Sequence, residues 1–306
     1  KRSCYIQVNM KNLLLLGAKG QLGQTFSYHF SSSTLADKYS CVPVDMEELD
    51  LSKEEAIFSF LTSNGPSVIV NCAAYTAVDA AETETCLAQS INDVAVGKIA
   101  SWASINLCRL IHISTDFVFD GTKREPYLPL DHARPVGVYG KTKLAGEKHV
   151  LDSCDKGIVI RTSWLYSEFG QNFVKTMIKL MMEESELGVV DDQIGSPTST
   201  HSLVNLIFSV IERENFCGIL HWCDGASISW YDFALEIQKQ AIEQGLLKRR
   251  IPLRPLSTEE YETLAVRPAY SVLDRGKTID QFGVIASSWR AELGMVINRM
   301  TENIGS

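Results

Sequence analysis

Apolar positions along the chain follow two rhythms. Short, nearly unbroken apolar runs at 11–16, 41–44, 67–71, 110–113, 158–161 and 218–222 read as buried strands. Between them lie amphipathic stretches that read as helices, reaching to about Ser32 and then over 53–62, 85–104, the segment that carries Tyr139 and Lys143, 173–182, 201–213 and 230–242. Strands apolar on both faces, alternating with helices, predict an α/β fold with a doubly wound parallel sheet. After about residue 245 the rhythm stops. Residues 245–275 are loop-rich, with Pro252, Pro255, Pro268 and the basic cluster Lys248-Arg249-Arg250, and a terminal helix is predicted from Ser287. The predicted layout is a nucleotide-binding domain over 10–163 with return segments at about 189–225. A smaller C-terminal substrate lobe takes about 164–188 and 226–306. Met10 directly precedes the first strand, which leaves the status of residues 1–9 as an extension open.

The end of the first strand adds chemistry. Gly17-Ala-Lys-Gly20-Gln21-Leu22-Gly23 sits between strand and helix, as in the opening of a Rossmann-type dinucleotide-binding unit. Glycines admit a pyrophosphate close to the backbone, and the free N–H groups of the helix start receive its charge. Asp45 ends the second strand, 22 residues after Gly23, where an acid meets the ribose 2′-hydroxyl of NAD; the alternative is a solvated acid. Lys19 is the counter-candidate, able to neutralise a 2′-phosphate, so NADH and NADPH both stay open. Ala74, Tyr75 and Thr76 follow the third strand, and their small neighbours leave room for a flat ring.

The richest stretch is S-T-D-F-V-F-D-G followed by Y-G-K-T-K-L-A-G-E, residues 114–121 and 139–147. Tyr139 and Lys143 stand four apart on one helix face, and Thr115 and Asp116 leave a strand end. A free phenol titrates near about 10, and a neighbouring cation lowers it. Such a trio suits proton transfer to a substrate oxygen. Trp164 leaves a strand end as an aromatic wall or a core residue, with Asn172 beyond it. Arg267 either meets a substrate phosphate or belongs to a solvated basic face.

The bulk numbers narrow the classes. The chain has 306 residues, 45% of them hydrophobic, enough for a substantial core. A net charge of −8 argues against a general nucleic-acid binder. No apolar run approaches a membrane span, and residues 1–9 lack the continuous apolar segment of a signal peptide. The eight cysteines have no C-x-x-C spacing and the six histidines no H-x-x-x-H. Reduced thiols in a cytoplasmic protein are expected, with no metal.

Taken together, these motifs, with R-T-S-W-L-Y, D-Q-I-G-S-P-T and R-P-A-Y-S-V-L-D, resemble the extended short-chain dehydrogenases/reductases. Within that group the chain is similar to the dTDP-4-dehydrorhamnose reductase family over nearly all of its length from Met10. The resemblance implies NADPH- or NADH-dependent reduction of the C4 ketone of dTDP-4-dehydro-L-rhamnose, a dTDP-sugar substrate. By it, Tyr139 is the proton donor, Lys143 binds the nicotinamide ribose and lowers the tyrosine pKa, and Thr115 completes the catalytic set. Coenzyme contacts fall on Gly20, Gln21, Leu22, Asp45, Asp50, Leu51, Ala74, Tyr75 and Thr76, and Gly17 and Gly23 belong to the same turn. Sugar-nucleotide contacts fall on Thr115, Asp116 and Trp164, and Asn172 and Arg267 join them as candidates. Phe117 stands where a tyrosine is common. Some relatives dimerise through a magnesium held by carboxylates; the matching position here is Thr25, so that metal is not expected, and the protein is a monomer or homodimer. One rival is a non-catalytic relative such as the regulatory beta subunit of methionine adenosyltransferase, which shares Y-G-K-T-K-L. Another is a reductase or epimerase of a different sugar nucleotide.

Overall fold

The structure is a computed structural model that describes residues 10–304 except residue 286; the question of residues 1–9 lies outside the described residues. Six parallel strands form the main sheet: β1 (Lys11–Leu16), β2 (Tyr39–Val44), β3 (Val68–Asn71), β4 (Arg109–Thr115), β5 (Gly157–Thr162) and an edge strand Gly218–His221. From that edge inward the order is Gly218–His221, β5, β4, β3, β1, β2. The chain winds outward from β1 in both directions, to β2 on one side and β3 on the other. A crevice opens at such a reversal, outside the carboxyl ends of the strands.

The four leucines of β1 explain why the run is continuous. Successive side chains of a strand point to opposite faces. Leu13 and Leu15 join Phe26, Leu203 and Ile207 on one face, under the helices Gln21–Phe30 and Thr200–Glu212. Leu14 and Leu16 join Ile57, Ile99 and Val150 on the other, under Glu54–Asn64, Ala95–Ile105 and Val138–Ser153. Each fully buried leucine contributes about 1.5–3 kcal/mol. The expected doubly wound parallel sheet is what the chain forms.

A separate apolar cluster lies among the helices Phe173–Glu183, Trp230–Glu243 and Trp289–Ile304, centred on Tyr166, Phe233 and Trp289. Residues 245–275 are less irregular than expected. Leu253–Leu256 pairs in parallel with Leu187–Val190 in a two-stranded sheet. Pro255 is tolerated because the strand has one neighbour only. Among the described residues no helix is long and apolar enough to cross a membrane.

The predicted helix over 85–104 is interrupted. Thr85–Gln89 passes into a π-helical turn, Ser90–Val94, before Ala95–Ile105. The wider turn aims buried Asn92 at the chain after β3. Its carboxamide accepts from Tyr75 N at 2.9 Å and donates to Tyr75 O at 3.0 Å. Single π turns of this kind commonly sit at functional sites.

One buried ion pair fixes the helix Val138–Ser153 to the sheet. Arg161 on β5 donates to Glu147 from Nε (2.9 and 3.1 Å) and from one terminal nitrogen (2.6 Å), and Ser114 Oγ donates to the same carboxylate at 2.5 Å. Glu147 is 1% exposed and Arg161 3%. Glu147→Gln leaves the guanidinium charge buried without its counter-ion, so urea titration should show a loss of about 3–5 kcal/mol. A loss below about 1 kcal/mol, the scale of a surface pair, would contradict this account of the joint.

Candidate active site

The reversal between β1 and β3 carries a cavity of about 710 Å³. Its first wall is the glycine turn. Gly17 has φ +76°, and a Cβ there would lie 2.7 Å from Ala73 N, at the turn after β3. A side chain at Gly23 would strike the carbonyl oxygen of Gly17. Gly17 N and Ala18 N both donate to Val44 O, at 2.9 and 3.1 Å, which ties the turn to the end of β2. Asp45 Oδ2 accepts from Lys19 N at 2.7 Å, while the Lys19 ammonium reaches Glu47 at 2.6 Å in solvent. Gly17, Gly20, Gln21, Leu22 and Gly23 line the cavity, as do Asp45, Asp50 and Leu51. Ala74 and Thr76 border it from the end of β3.

The opposite wall comes from β4, β5 and the helix Val138–Ser153. Thr115, Asp116, Tyr139, Lys143 and Trp164 all face the same space. Thr115 Oγ1 donates to Asp116 Oδ1 at 3.1 Å and accepts from Phe117 N at 3.2 Å. Asp116 is 2% exposed and its Oδ2 has no partner, so burial pushes its carboxyl up to about 6. Lys143 is 2% exposed. Its Nζ donates to Ile113 O at 2.7 Å and lies 3.3 Å from His112 Nε2, and burial brings it down to about 8 against the pull of Glu147.

Tyr139 is open only towards the cavity, and the Phe117 ring meets its ring edge-on with centroids 5.7 Å apart. Burial pushes its phenol up to about 12, opposed by the Thr115 hydroxyl. Lys143 is not among the groups that move it in the protein alone. The amine is turned to the Ile113 carbonyl, and loss of water around the phenol outweighs any help from it.

Trp164 sits at φ +47°, stacked on Trp230 with centroids 3.6 Å apart. Gly195 allows this: a Cβ there would come within 2.5 Å of the Trp164 ring. The D-Q-I-G-S-P-T motif thus seats the aromatic wall, a role its spacing did not reveal.

A family profile described as the RmlD substrate binding domain matches residues 10–302. The chain belongs to this family. The dTDP-4-dehydrorhamnose reductase of Aggregatibacter actinomycetemcomitans is 40% identical over 291 residues, which cover 93% of this chain and 97% of that protein. The crystal structure of a dTDP-4-dehydrorhamnose reductase from Clostridium acetobutylicum superposes with TM-score 0.88 at 37% identity, over 95% of this chain and 99% of that one. That of Bacillus anthracis, solved in complex with NADP, gives TM-score 0.87 at 34% identity over the same shares.

Against the RmlD-family pattern, three expected site residues are otherwise engaged. Arg267 is not on the cavity wall; its guanidinium is paired with Asp79 at 2.8 Å, so it is not a free cation for a phosphate. Tyr75 turns its hydroxyl out to Glu84 at 2.8 Å, and only its backbone is held near the site, by Asn92. Asn172 donates to Gln21 Oε1 at 3.0 Å and to Ser167 O at 2.8 Å while capping the helix Phe173–Glu183. It fastens the loop over the glycine turn, and Gly170 and Gln171 of that loop line the cavity in its place. Thr25 is buried and shares a 2.7 Å hydrogen bond with Thr200, a hydroxyl pair that offers no carboxylate to a magnesium ion. Among the described residues no group of three or more His, Cys, Asp or Glu side chains is placed to hold a metal.

Two buried groups escaped the sequence reading, His112 and Asn71. Both sit inside strands that looked purely structural. Gly17→Ala should weaken reduced coenzyme binding by roughly ten- to a hundredfold in a fluorescence titration, the effect of about 1–3 kcal/mol of overpacking. Unchanged affinity would mean the coenzyme lies elsewhere.

Proposed function

We propose that the glycine turn and the ends of β1 to β3 hold a reduced nicotinamide coenzyme, and that Trp164 and the ends of β4 and β5 hold the sugar nucleotide. The protein reduces the C4 ketone of dTDP-4-dehydro-L-rhamnose to dTDP-L-rhamnose with NADH or NADPH. One observation carries this reading: Thr115, Tyr139 and Lys143 border the same cavity as the glycine cradle. The cradle fits a pyrophosphate because a Cβ at Gly17 or Gly23 would fill the space.

Bound there, the coenzyme supplies a hydride to C4. Thr115 holds the carbonyl oxygen by hydrogen bond. As the C–O π electrons move onto that oxygen, Tyr139 gives it the phenolic proton. A phenol held above its usual range keeps that proton until an alkoxide forms. Lys143, beside the nicotinamide ribose, steadies the resulting phenolate. Asp116, with one buried oxygen free of protein partners, is suited to accept from a sugar hydroxyl. Stacked Trp164 and Trp230 exclude water and give the sugar a flat wall. Holding ketone, hydride and phenol in line is the protein's main contribution.

The proposed division gives 10–163 and about 189–225 to the coenzyme and about 164–188 and 226–306 to the substrate. The oligomeric state that goes with this reading is a monomer or homodimer. All described cysteines are free thiols, which supports a cytoplasmic site of action. The intact trio also separates this reading from a purely regulatory relative.

The purified protein should oxidise reduced coenzyme with the dTDP-4-keto sugar and not with UDP- or GDP-4-keto sugars. Tyr139→Phe should lower kcat by about 10²- to 10⁴-fold, the range of a lost general acid, while coenzyme Kd stays near wild type. Normal turnover by that variant would overturn the assignment of the acid. No turnover with any keto sugar, together with a stable complex on gel filtration, would favour the regulatory reading.

A further inference from the structure

Two buried side chains behind the catalytic wall, Asn71 and His112, which the reaction above does not use, form a chain of polar contacts that ends at Lys143. It starts from a fixed donor. The backbone N–H of Ala73 donates to Asn71 Oδ1 at 3.1 Å, which sets the orientation of the carboxamide. Asn71 Nδ2 then faces His112 Nδ1 at 3.1 Å, and His112 Nε2 faces Lys143 Nζ at 3.3 Å. Asn71 and His112 are both 0% exposed, so bulk solvent does not compete for these contacts.

The direction of the chain follows from its first link. With Oδ1 committed to Ala73, the amide side of Asn71 donates, so His112 Nδ1 accepts. A neutral imidazole accepting at Nδ1 carries its proton at Nε2. Burial and the neighbouring Lys143 hold the ring neutral. The N–H at Nε2 therefore points at Nζ. An ammonium presents only N–H groups to it, whereas an amine presents a lone pair.

We propose that His112, oriented by Asn71, is a positioning residue for Lys143: it holds Nζ against the Ile113 carbonyl and lowers the basicity of the lysine. This inference rests on the reading of Lys143 as the residue beside the nicotinamide ribose. The end of β3, where the cavity is lined by Ala73 and Ala74, is thereby linked to the catalytic lysine through three side-chain contacts. Other titratable groups around Lys143 are Cys72 after β3, Tyr139 and Glu147 on its own helix, and Asp116 after β4 on the same cavity wall. Cys72 stays a neutral thiol, since burial pushes it up to about 12. Glu147 is neutralised by Arg161. Asp116 titrates near 6, below the range in which Lys143 changes charge.

The test is the pH dependence of NADH affinity, read by fluorescence from neutral pH upward without any sugar present. Wild type should weaken through a midpoint that Lys143→Met abolishes. His112→Phe removes the N–H that opposes the ammonium. Asn71→Asp reverses the chain, because a carboxylate accepts from both Ala73 N and the imidazole and moves the ring proton to Nδ1. Both variants should raise the midpoint by about half to one pH unit, the worth of one hydrogen bond. A merely structural role would weaken binding or lower thermal stability without moving it. An unmoved or lowered midpoint in either variant that folds by circular dichroism overturns the proposal, and so does a wild-type midpoint that survives in Lys143→Met. Failure of the reductase reading would appear separately, as wild type that binds NADH with this profile yet turns over no keto sugar.

Discussion

Burial of Lys143 constrains the site more than any other feature. A lysine 2% exposed needs hydrogen-bond partners for its nitrogen, and the strand ends supply them. The Ile113 carbonyl lies just past the end of the neighbouring strand, since β3 stops at Asn71 opposite His112 while β4 runs on to Thr115. The helix Val138–Ser153 then lies along β4 and β5, and Gly140 and Gly146 let it sit close to the Phe117 and Asn92 carbonyls, which a Cβ at either position would strike. Glu147 and Arg161 lock the same helix one turn further on. Tyr139, one turn before the lysine, is carried into the cavity by that placement.

The coenzyme side is built by a second close approach of the same kind. Gly17 packs against the turn after β3 because neither has a bulky side chain there. The two turns thereby line one side of a cleft whose other side carries Thr115, Tyr139 and Lys143. Gln21 at the head of the first helix holds Asn172 and Ser167, so the loop that roofs the pyrophosphate site is tied to the glycine turn itself. Binding and chemistry therefore share one rigid base, with little needed from loops alone.

Much of this was legible in the sequence. The sheet followed from uninterrupted apolar runs, since strands buried on both faces cannot afford polar positions. Tyr139, Lys143, Thr115, Asp116 and Trp164 were found because polar residues at strand ends and helix starts stand out against that background. The partners that Arg267, Tyr75 and Asn172 take were not legible, because sequence gives no account of which partner a long polar side chain finds: Asp79, Glu84 and Gln21 lie far from obvious pairing positions. Asn71 and His112 were missed because a polar residue within an apolar strand reads as a tolerated exception. The strand Leu253–Leu256 was hidden by its proline, which is harmful in a central strand and harmless with a single neighbour. Spacing on a helix shows that two groups share a face, whereas burial decides their basicity.

The central claim is that a hydride reaches C4 of the sugar in this cavity while Tyr139 supplies the proton to oxygen. Reduced coenzyme carrying deuterium at the transferring C4 position, incubated with the enzyme and the dTDP-4-keto sugar, tests it directly by NMR of the product. One deuterium per molecule at C4 of the rhamnose is the result the account predicts. Product with only solvent-derived hydrogen at C4, or no reduced sugar at all, would contradict it.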